Sequence, residues 1–386
     1  MITTEAWVLK RGPEERRSAL GTDDFRLESY SFPDLEDDEL LVEPLFGCWE
    51  GNMSHAIARR PIDVCRQRGE EKVVLGNSAV LRVLKVGAAV RGVREGDVGA
   101  LWAAGKFDEF GYMMLAFGYD APGSVGVLAK RTKIRSWNFL PIPSGSPYSY
   151  EQWAVHSLRY VTAWSNWKVA CGAYRLQVSQ AEDESPHVWG WSGGTTFAEI
   201  DLARREGCQV AMLSGSDAHL TALKQAGITG IDRREFPGID LDEKRHAADP
   251  AYRKAYQEVE AAFLRLVRER TRGRGVSIFI EYIGAPVVRA TVKALAREGV
   301  LTTAGWLLGM STSQNRALEC IARHVHVHTH YARRAEAIEA MDYSMSTGWM
   351  PEVTEVGGWE DVPRLAGDAA AGATQSFFPV YCVNPV

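Results

Sequence analysis

The clearest change of hydrophobic period in the chain lies between His187 and Leu213. Val188 and Trp189 form a short apolar run, three glycines follow, and apolar positions then recur at helical spacing up to Ala203. A second apolar run ends at Leu213. This order of strand, glycine turn, helix and strand is typical of a nucleotide-binding βαβ unit, in which the helix N-terminus holds a phosphate.

The glycine turn departs from the G-x-G-x-x-G pattern of dinucleotide-binding proteins at two positions. Trp191 stands at the first glycine of that pattern and Thr196 at the last. A Cβ atom at the last position is expected to push the helix away from the strand. The turn therefore fits dinucleotide binding and an ordinary structural strand–helix connection about equally, and both interpretations stay open.

Periodicity also divides the rest of the chain. Short Val/Leu runs at 36–46 and 73–90 predict small twisted sheets or a partial barrel in the first 150 residues. From Ser149 the period becomes helical, so a boundary is expected near residue 148. The middle third alternates strands with helices, which predicts a parallel sheet covered on both faces. Ser216 is expected to cap one of these helices.

An insertion near 237–272 interrupts that alternation. Asp249 and Pro250 form a good helix start. The apolar residues that follow recur at spacings of four and three residues, and they are Tyr252, Tyr256, Val259, Phe263 and Leu266. Such a stripe predicts a core or subunit contact rather than a ligand site.

Composition narrows the setting. The chain has 386 residues, enough for two separate cores, and a net charge of -5 that provides no electrostatic footprint for nucleic acid. No apolar run of about 20 residues and no secretory h-region occur, so we expect no membrane segment and a cytoplasmic protein. The six cysteines form no C-x-x-C pair, which indicates reduced thiols rather than a disulfide scaffold.

Four segments, in this order and spacing, carry a resemblance to a known family. They are Val188-Trp189-Gly190, Gly230 to Phe236, Asp249 to Tyr252, and Thr329 to Ala332. Over nearly its whole length the chain resembles the medium-chain dehydrogenase/reductase superfamily, and within it the crotonyl-CoA carboxylase/reductase group of enoyl-thioester reductases.

The resemblance implies an α/β protein in which a GroES-like β-rich catalytic domain is built from both ends of the chain. A Rossmann domain with a doubly wound parallel sheet is inserted between them, and the substrate is expected in a cleft between the domains. We expect the catalytic domain at 1–150 and 324–386 and the Rossmann domain at 151–323.

Zinc is the first chemical question, because many members of the superfamily hold a catalytic zinc through a cysteine, a Gly-His-Glu turn and one further ligand. The corresponding turn here is Gly76-Asn77-Ser78. Asparagine and serine are poor zinc ligands, so we expect no metal and interpret Cys48 as a small buried apolar residue.

A rival metal site consists of four alternating histidines, His324, His326, His328 and His330. On a strand all four imidazoles would project from one face, and such a set can bind Zn²⁺, Cu²⁺ or Ni²⁺. No carboxylate or cysteine follows at ligand spacing, so we favour an exposed or subunit-facing strand with hydrogen-bonded histidines. His330 is a separate case because it also matches the resemblance.

The end of the second strand of the βαβ unit bears on the cofactor. NAD-selective enzymes tend to place an acidic residue there, whereas NADP needs room and positive charge for its 2′-phosphate. Ser214 occupies the place, and Asp217 lies late for the NAD role, so we expect NADPH. The expected cofactor-binding residues are Thr162, Gly190, Ser192, Gly193, Gly194, Thr195, Ser214, Ser216, His219, Arg233 and Gly305.

The resemblance also implies an acyl site. In the carboxylating enzymes an asparagine, an aromatic–glutamate pair and a histidine hold CO₂, and the matching positions here are Asn52, Tyr119-Asp120 and His330. Asp120 is one methylene shorter than the glutamate, and Tyr119 replaces a phenylalanine. For Asn52 and Asp120, ordinary turn chemistry is the alternative.

The leading hypothesis is thus an NADPH-dependent reductase of an α,β-unsaturated acyl thioester, carried by coenzyme A or a carrier protein, whose enolate takes a proton or CO₂. The alternatives are a zinc-independent quinone, ketone or aldehyde reductase and a non-catalytic binding module with the same fold. We expect a homodimer or homotetramer.

Overall fold

The structure is a computed structural model that describes residues 1–12, 25–309 and 316–386, with only the backbone at Arg316 and Thr329. Its contacts group the chain into unit 1, Met1–Val161 with Ala332–Val386, and unit 2, Thr162–Tyr331. The chain thus leaves the first unit and later returns to it.

Unit 1 is rich in strands. They are β1 Ile2–Lys10, β2 Phe25–Phe32, β3 Glu39–Cys48, β4 Lys72–Val74, β5 Ala79–Val86, β6 Val98–Leu101, β7 Ala104–Phe107, β8 Met113–Ala116, β9 Thr132–Arg135 and β10 Phe139–Pro141. After the strands of unit 2, β11 His187–Trp191, β12 Gln209–Ser214, β13 Thr229–Asp232, β14 Val276–Ile280, β15 Leu295–Thr303 and β16 His326–Thr329, unit 1 adds β17 Val356–Gly357 and β18 Val380–Cys382.

The helices alternate with strands mainly in unit 2. They are α1 Gly51–Ala58, α2 Val64–Arg68, α3 Tyr150–Val155, α4 Val161–Arg175, α5 Gly194–Arg205, α6 Asp217–Gln225, α7 Glu243–Ala248, α8 Pro250–Arg270, α9 Ala285–Ala294, α10 Arg334–Thr347 and α11 Val362–Ala371. A π-helical turn, His156–Tyr160, joins α3 to α4, and a second one spans Arg316–Ile321. Short 3-10 helices span Ser136–Asn138, Arg233–Glu235 and Trp359–Asp361.

The sheets of unit 1 form a small β-rich fold. The largest has the order β10-β6-β5-β3-β18-β17, with β9 also pairing with β3, and a separate sheet has the order β2-β1-β4. β3 pairs with β5, β9 and β18, which places its segment up to Cys48 at the centre of the unit. The loops that follow β3 and precede β5 therefore start from a rigid base.

Unit 2 is built on a parallel sheet of order β13-β12-β11-β14-β15-β16. This doubly wound order is the one expected from the sequence. The predicted caps are present, since Ser216 accepts a hydrogen bond from the His219 N–H and Asp249 accepts from the N–H groups of Ala251 and Tyr252.

The apolar stripe of α8 belongs to the core of unit 2. Tyr256 and Phe263 are buried, and Val259 and Leu266 pack against the hydrophobic cluster that contains Phe263. The sequence left open a core contact and a subunit contact for this stripe. These residues form a core contact.

The contact-based units have bounds that differ from the expected domain bounds of 151 and 323. Unit 2 begins at Thr162, within a continuous helix, and ends at Tyr331, so that β16, which pairs in parallel with β15, belongs to it. The histidine strand is also shorter than expected, because His324 has a left-handed φ of 54° and His330 lies beyond the end of β16. Only His326 and His328 remain within the strand.

In the described part of the chain, no helix combines the length and low polarity needed to cross a bilayer.

Candidate functional site

The glycine turn of unit 2 has the geometry of an anion site. β11 ends at Trp191, and Gly193 has a φ of 155°, a conformation that favours glycine. α5 begins at Gly194, so Ser192 to Thr195 surround a helix N-terminus, where N–H groups and the helix dipole favour a phosphate.

Thr196 does not push α5 away from the sheet. Its side chain is fully buried, and a Cβ atom built on Gly190 would lie only 2.4 Å from the Thr196 Cγ2 atom. In the usual motif the helix carries the glycine, whereas here the facing strand carries it, at Gly190. The absence of a Cβ atom on Gly190 leaves room for the Thr196 methyl group. The steric clash that the sequence predicts for the Thr196 side chain is therefore avoided, because Gly190 has no Cβ atom.

Trp191, the second departure, is part of the core. Its ring packs at centroid distances of 5.5 Å from Phe263 and 5.9 Å from Phe279, and its Nε1–H donates to the Thr291 Oγ1 atom at 2.7 Å. The Trp191 side chain thus contributes to the core of unit 2.

The polar residues predicted for the cofactor meet at the carboxyl ends of β11 and β12. The Ser192 hydroxyl lies 3.4 Å from that of Ser214 and 3.5 Å from the His219 Nδ1 atom. The Ser214 hydroxyl also accepts from the Ser216 N–H. No acidic side chain takes part in this set.

Two arginines follow β13, and the sequence singled out only the first. Arg233 lies 5.4 Å above the Trp191 ring and pairs with Asp240. Arg234 pairs with Asp232 at 2.8 Å and with Asp217, in the first turn of α6, at 2.5 Å. The Arg234 Cγ atom would lie 3.9 Å from a Cβ atom built on Gly215, between Ser214 and Ser216, and its position next to Arg233 was the signal available in the sequence.

Glu199 is the centre of a buried polar network that the sequence did not reveal. The Asn166 Nδ2 group donates to both carboxyl oxygens at 3.1 and 3.2 Å, and the Tyr282 hydroxyl donates to one of them at 2.6 Å. The Thr302 hydroxyl completes the set by donating to the Asn166 Oδ1 atom at 2.8 Å. Burial raises the pKa of Glu199 to about 8, so the carboxyl is largely neutral at pH 7.

Glu281 is a second buried carboxyl at the end of β14. It accepts hydrogen bonds from the N–H groups of Ile283 at 2.6 Å and Gly284 at 2.7 Å. Burial raises its pKa to about 7, and the two N–H groups oppose that shift. Its bonds shape the turn into α9.

Three loops of unit 1 converge on the predicted acyl residues. The Cys48 N–H donates to the Ser78 carbonyl at 3.1 Å, and the Gly76 N–H donates to the Gly118 carbonyl at 3.0 Å. These bonds join the segment 48–52, the turn 76–78 and the segment 117–120 into one group, called the three-loop cluster below.

Asn52 lies in the first turn of α1, within the three-loop cluster. Its Oδ1 atom is buried and has no hydrogen-bond partner among the described residues. The Oδ1 atom of Asn77 has the same property, and the Asn77 residue is only 2 % exposed. The turn interpretation of Asn52 would use its oxygen as an acceptor, and among the described residues no such hydrogen bond forms.

Asp120 does follow the alternative interpretation. Its Oδ1 atom accepts from the Ala116 N–H at 2.6 Å and so closes its own turn. The buried Arg68 holds the same loop by donating to the carbonyls of Tyr119 at 3.3 Å and Ser124 at 2.7 Å. Arg68 in turn forms two bonds with Glu70, at 3.0 and 2.8 Å.

Cys48 is buried, as expected, but its surroundings are polar. Arg159 donates through Nε to both oxygens of Glu50, at 3.2 and 3.0 Å, and the thiol interacts with both of these side chains. Burial raises the pKa of the thiol well above its usual range, and that of Glu50 as well. A fixed guanidinium beside a protonated thiol does not suit a dication.

The remaining predicted residues lie in unit 2. His330 is buried, and its N–H donates to the Thr303 carbonyl at 3.2 Å. Gly305 follows β15, the strand that ends at Thr303, and Thr162 lies in α4. His328 differs from the hydrogen-bonded state expected for it, because both ring nitrogens are buried without partners among the described residues and burial lowers its pKa to about 4.

The described side chains include no group of three or more His, Cys, Asp or Glu residues placed to hold a metal ion.

Comparison with known proteins gives a fold but no sequence family. No family model and no curated protein sequence matches the chain. The solved crotonyl-CoA carboxylase/reductase AntE, in complex with NADP, is 21% identical with a TM-score of 0.79, and the match covers 100% of this chain and 95% of AntE.

Two further structures support the same fold. The 2-octenoyl-CoA carboxylase reductase CinF from a Streptomyces species, in complex with NADP and 2-octenoyl-CoA, is 22% identical with a TM-score of 0.78, covering 100% of this chain and 88% of CinF. A thermostable alcohol dehydrogenase from Pyrobaculum aerophilum is 15% identical with a TM-score of 0.70, covering 99% and 100%. The α/β fold expected from the resemblance, a β-rich unit with an inserted parallel-sheet unit, is confirmed.

Proposed function

From this shared fold and the residues that line the loops, we propose that the chain is an NADPH-dependent reductase of an α,β-unsaturated acyl thioester. The observation that carries the proposal is the buried carboxamide oxygen of Asn52, which has no hydrogen-bond partner within the described part of the chain and stands where the resemblance implies an acyl site. Two similar structures, AntE and CinF, are described as complexes with NADP, and CinF also with an enoyl-CoA.

The residues of unit 2 fit a dinucleotide phosphate. The free N–H groups at the start of α5 suit the pyrophosphate, and Ser192, Ser214 and His219 suit the adenosine ribose and its 2′-phosphate. Arg233 and Arg234 lie one strand away and supply positive charge. When bound, the cofactor would supply the hydride for the β-carbon of the substrate.

The chain's own part in the reaction is to hold the thioester and to stabilise the oxygen that gains negative charge. The Asn52 carboxamide provides N–H donors for such an oxygen, while its Oδ1 atom is an acceptor for a donor elsewhere on the substrate. Tyr119 is partly buried against the core of unit 1, which limits its motion. These groups orient the acyl chain so that the same face of the double bond is always reduced.

The position of Asp120 favours protonation of the enolate over carboxylation. In the carboxylating pattern the acidic residue acts with its aromatic neighbour, but here its Oδ1 atom is held by the Ala116 N–H. We therefore propose reduction as the main reaction and carboxylation as a side reaction at most.

The reaction is proposed to be independent of zinc. Asn77 and Ser78 replace two ligands, and the Arg159 guanidinium lies beside the remaining thiol of Cys48. Activity that persists after dialysis against a chelator is the expected result.

The test is an assay of NADPH oxidation with crotonyl-CoA and with crotonyl carrier protein, each with and without bicarbonate, with product masses measured. We expect butyryl product under both conditions. Turnover of a simple ketone or quinone but of no enoyl thioester would favour the carbonyl-reductase alternative. Absence of both turnover and NADPH binding would favour a non-catalytic module.

Cofactor choice is tested by the two arginines after β13. Removing a charge-assisted phosphate contact costs about 1.5–3 kcal/mol, so Arg233→Ala and Arg234→Ala are each expected to weaken NADPH far more than NADH. Calorimetric titration of both cofactors measures this. Equal losses for NADPH and NADH in both variants would show that neither arginine contacts the 2′-phosphate.

We further propose that the protein is a homo-oligomer. β16 ends the strand order of the parallel sheet, and the backbone groups at such an edge readily pair with another copy. Sedimentation equilibrium distinguishes a dimer or tetramer from a monomer.

A further inference from the structure

We propose that Asn77 is a second substrate-contacting carboxamide, one that recognises a hydrogen-bond donor next to the thioester. This inference rests on the proposed function, because it places the acyl thioester at the three-loop cluster. Asn77 lies in the turn Gly76-Asn77-Ser78, which replaces the Gly-His-Glu turn of the zinc-dependent members of the superfamily.

The backbone places Asn77 between the two loops that carry the predicted acyl residues. Its neighbour Gly76 donates to the Gly118 carbonyl, and its neighbour Ser78 accepts from the Cys48 N–H. Gly76 has a φ of 107°, and a Cβ atom there would lie 2.7 Å from the Val127 Cγ2 atom, so the turn is fixed. Asn77 is therefore held in position by its backbone and needs no side-chain bond for that purpose.

The side chain of Asn77 is buried without being used. It is 2 % exposed, and its Oδ1 atom has no partner among the described residues. A buried acceptor that lacks a partner loses its hydration without compensation, so folding alone disfavours an asparagine here. A ligand that donates a hydrogen bond would remove this cost.

Asn138 in the same unit shows what a structural asparagine looks like. It is also 2 % exposed, but its Nδ2 group donates to the carbonyls of Trp102 and Ala104 at 2.7 Å each. Its Oδ1 atom accepts from the Arg135 N–H at 3.2 Å. The two asparagines have equal burial and differ in their bonding, which makes Asn138 a matched control.

The unpartnered atom is an acceptor, so the complementary ligand group is an N–H or O–H donor. A simple enoyl chain has no such group. The nearest donors in the substrate class are the first amide N–H of the pantetheine arm and a hydroxyl group on the acyl chain. Three small thioesters separate these sources: crotonyl-N-acetylcysteamine, S-ethyl 4-hydroxythiocrotonate, and S-ethyl thiocrotonate, which has neither donor.

The experiment combines ligand-free stability with kinetics for Asn77→Leu, Asn77→Ala and Asn138→Leu. We expect the urea midpoint of both Asn77 variants to stay at or above the wild-type value and that of Asn138→Leu to fall. The KM of the Asn77 variants is expected to rise about tenfold for the thioester that carries the recognised donor and to stay unchanged for S-ethyl thiocrotonate.

Each other outcome overturns the proposal. A midpoint that falls in both Asn77 variants, or a failure of both to fold, assigns Asn77 the structural role of Asn138. Unchanged KM values for all three thioesters, in variants that still oxidise NADPH with crotonyl-CoA, refute this inference and leave the proposed function standing. Wild-type protein that reduces no enoyl thioester refutes both.

Discussion

Two groups of buried polar side chains differ in how completely they are bonded: the network around Asn166 in unit 2 and the asparagines of the three-loop cluster in unit 1. In unit 2, Asn166 donates to Glu199 and Tyr282 and accepts from Thr302, so its carboxamide is fully used. In unit 1, the Oδ1 atoms of Asn52 and Asn77 are equally hidden but have no partner among the described residues. Buried groups that bond to one another stabilise a fold, whereas a buried acceptor without a partner carries a desolvation cost that a hydrogen-bond donor on a ligand would remove.

The first prediction tests the fully bonded region, where the largest effect is expected. Asn166→Leu leaves Glu199, Tyr282 and Thr302 each short of a partner, so the free energy of unfolding should fall by about 3–5 kcal/mol. Urea unfolding measures the change. Asn52→Leu, the matched variant in unit 1, is expected to change stability by less than about 1 kcal/mol. Similar losses in both variants would remove the distinction between the regions.

The second prediction concerns the proton on Glu199. Its pKa in the folded state is about 8, above the ordinary value of 4.5, so the folded protein keeps a proton that the unfolded chain releases. The contribution of this bound proton to the free energy of unfolding is fully present below about pH 4.5. It is lost as the pH rises through about 8, by up to about 1.4 kcal/mol per pH unit.

Glu199→Gln cannot titrate, so its unfolding free energy should decline less steeply than that of the wild type between pH 5 and 8. Urea unfolding at several pH values gives both slopes, and the other titrating groups cancel in their difference. Parallel slopes would mean that Glu199 is already ionised in the folded protein.

The third and smallest effect compares two fully buried threonines of unit 2. The Thr302 hydroxyl donates to Asn166, whereas the Thr196 hydroxyl has no partner among the described residues. Replacement by the isosteric valine should therefore lower stability by about 1 kcal/mol at Thr302 and leave it unchanged or higher at Thr196. Thermal unfolding of the two variants is the measurement, and a loss at Thr196 equal to that at Thr302 would contradict the bonding pattern.

Local signals in the sequence predicted the elements well. The helix caps at Ser216 and Asp249, the strand–turn–helix after His187 and the apolar stripe of α8 all depend on residues close together in the chain. The contact-based return to unit 1 lies later than the expected bound, because the pairing of β16 with β15 is a long-range contact that the histidine pattern does not encode.

The site was harder to predict for the same reason. The network around Glu199 joins four side chains from α4, α5 and the segments at β14 and β15, and none of these residues forms a motif with another. The compensation between Gly190 and Thr196 is visible only when the helix is packed on the strand. From the sequence, Asn77 could be recognised only as a poor zinc ligand. That its Oδ1 atom has no hydrogen-bond partner among the described residues becomes visible only once the loop is folded.

Isotope transfer tests the proposed delivery of hydride to an enoyl thioester. Crotonyl-CoA is incubated with the protein and with NADPH deuterated at either face of C4, and the product is analysed by mass and NMR. We expect butyryl-CoA with one deuterium at the β-carbon from one of the two deuterated cofactors. Deuterium on the carbinol carbon of a ketone substrate, with none transferred to any enoyl thioester, would contradict it.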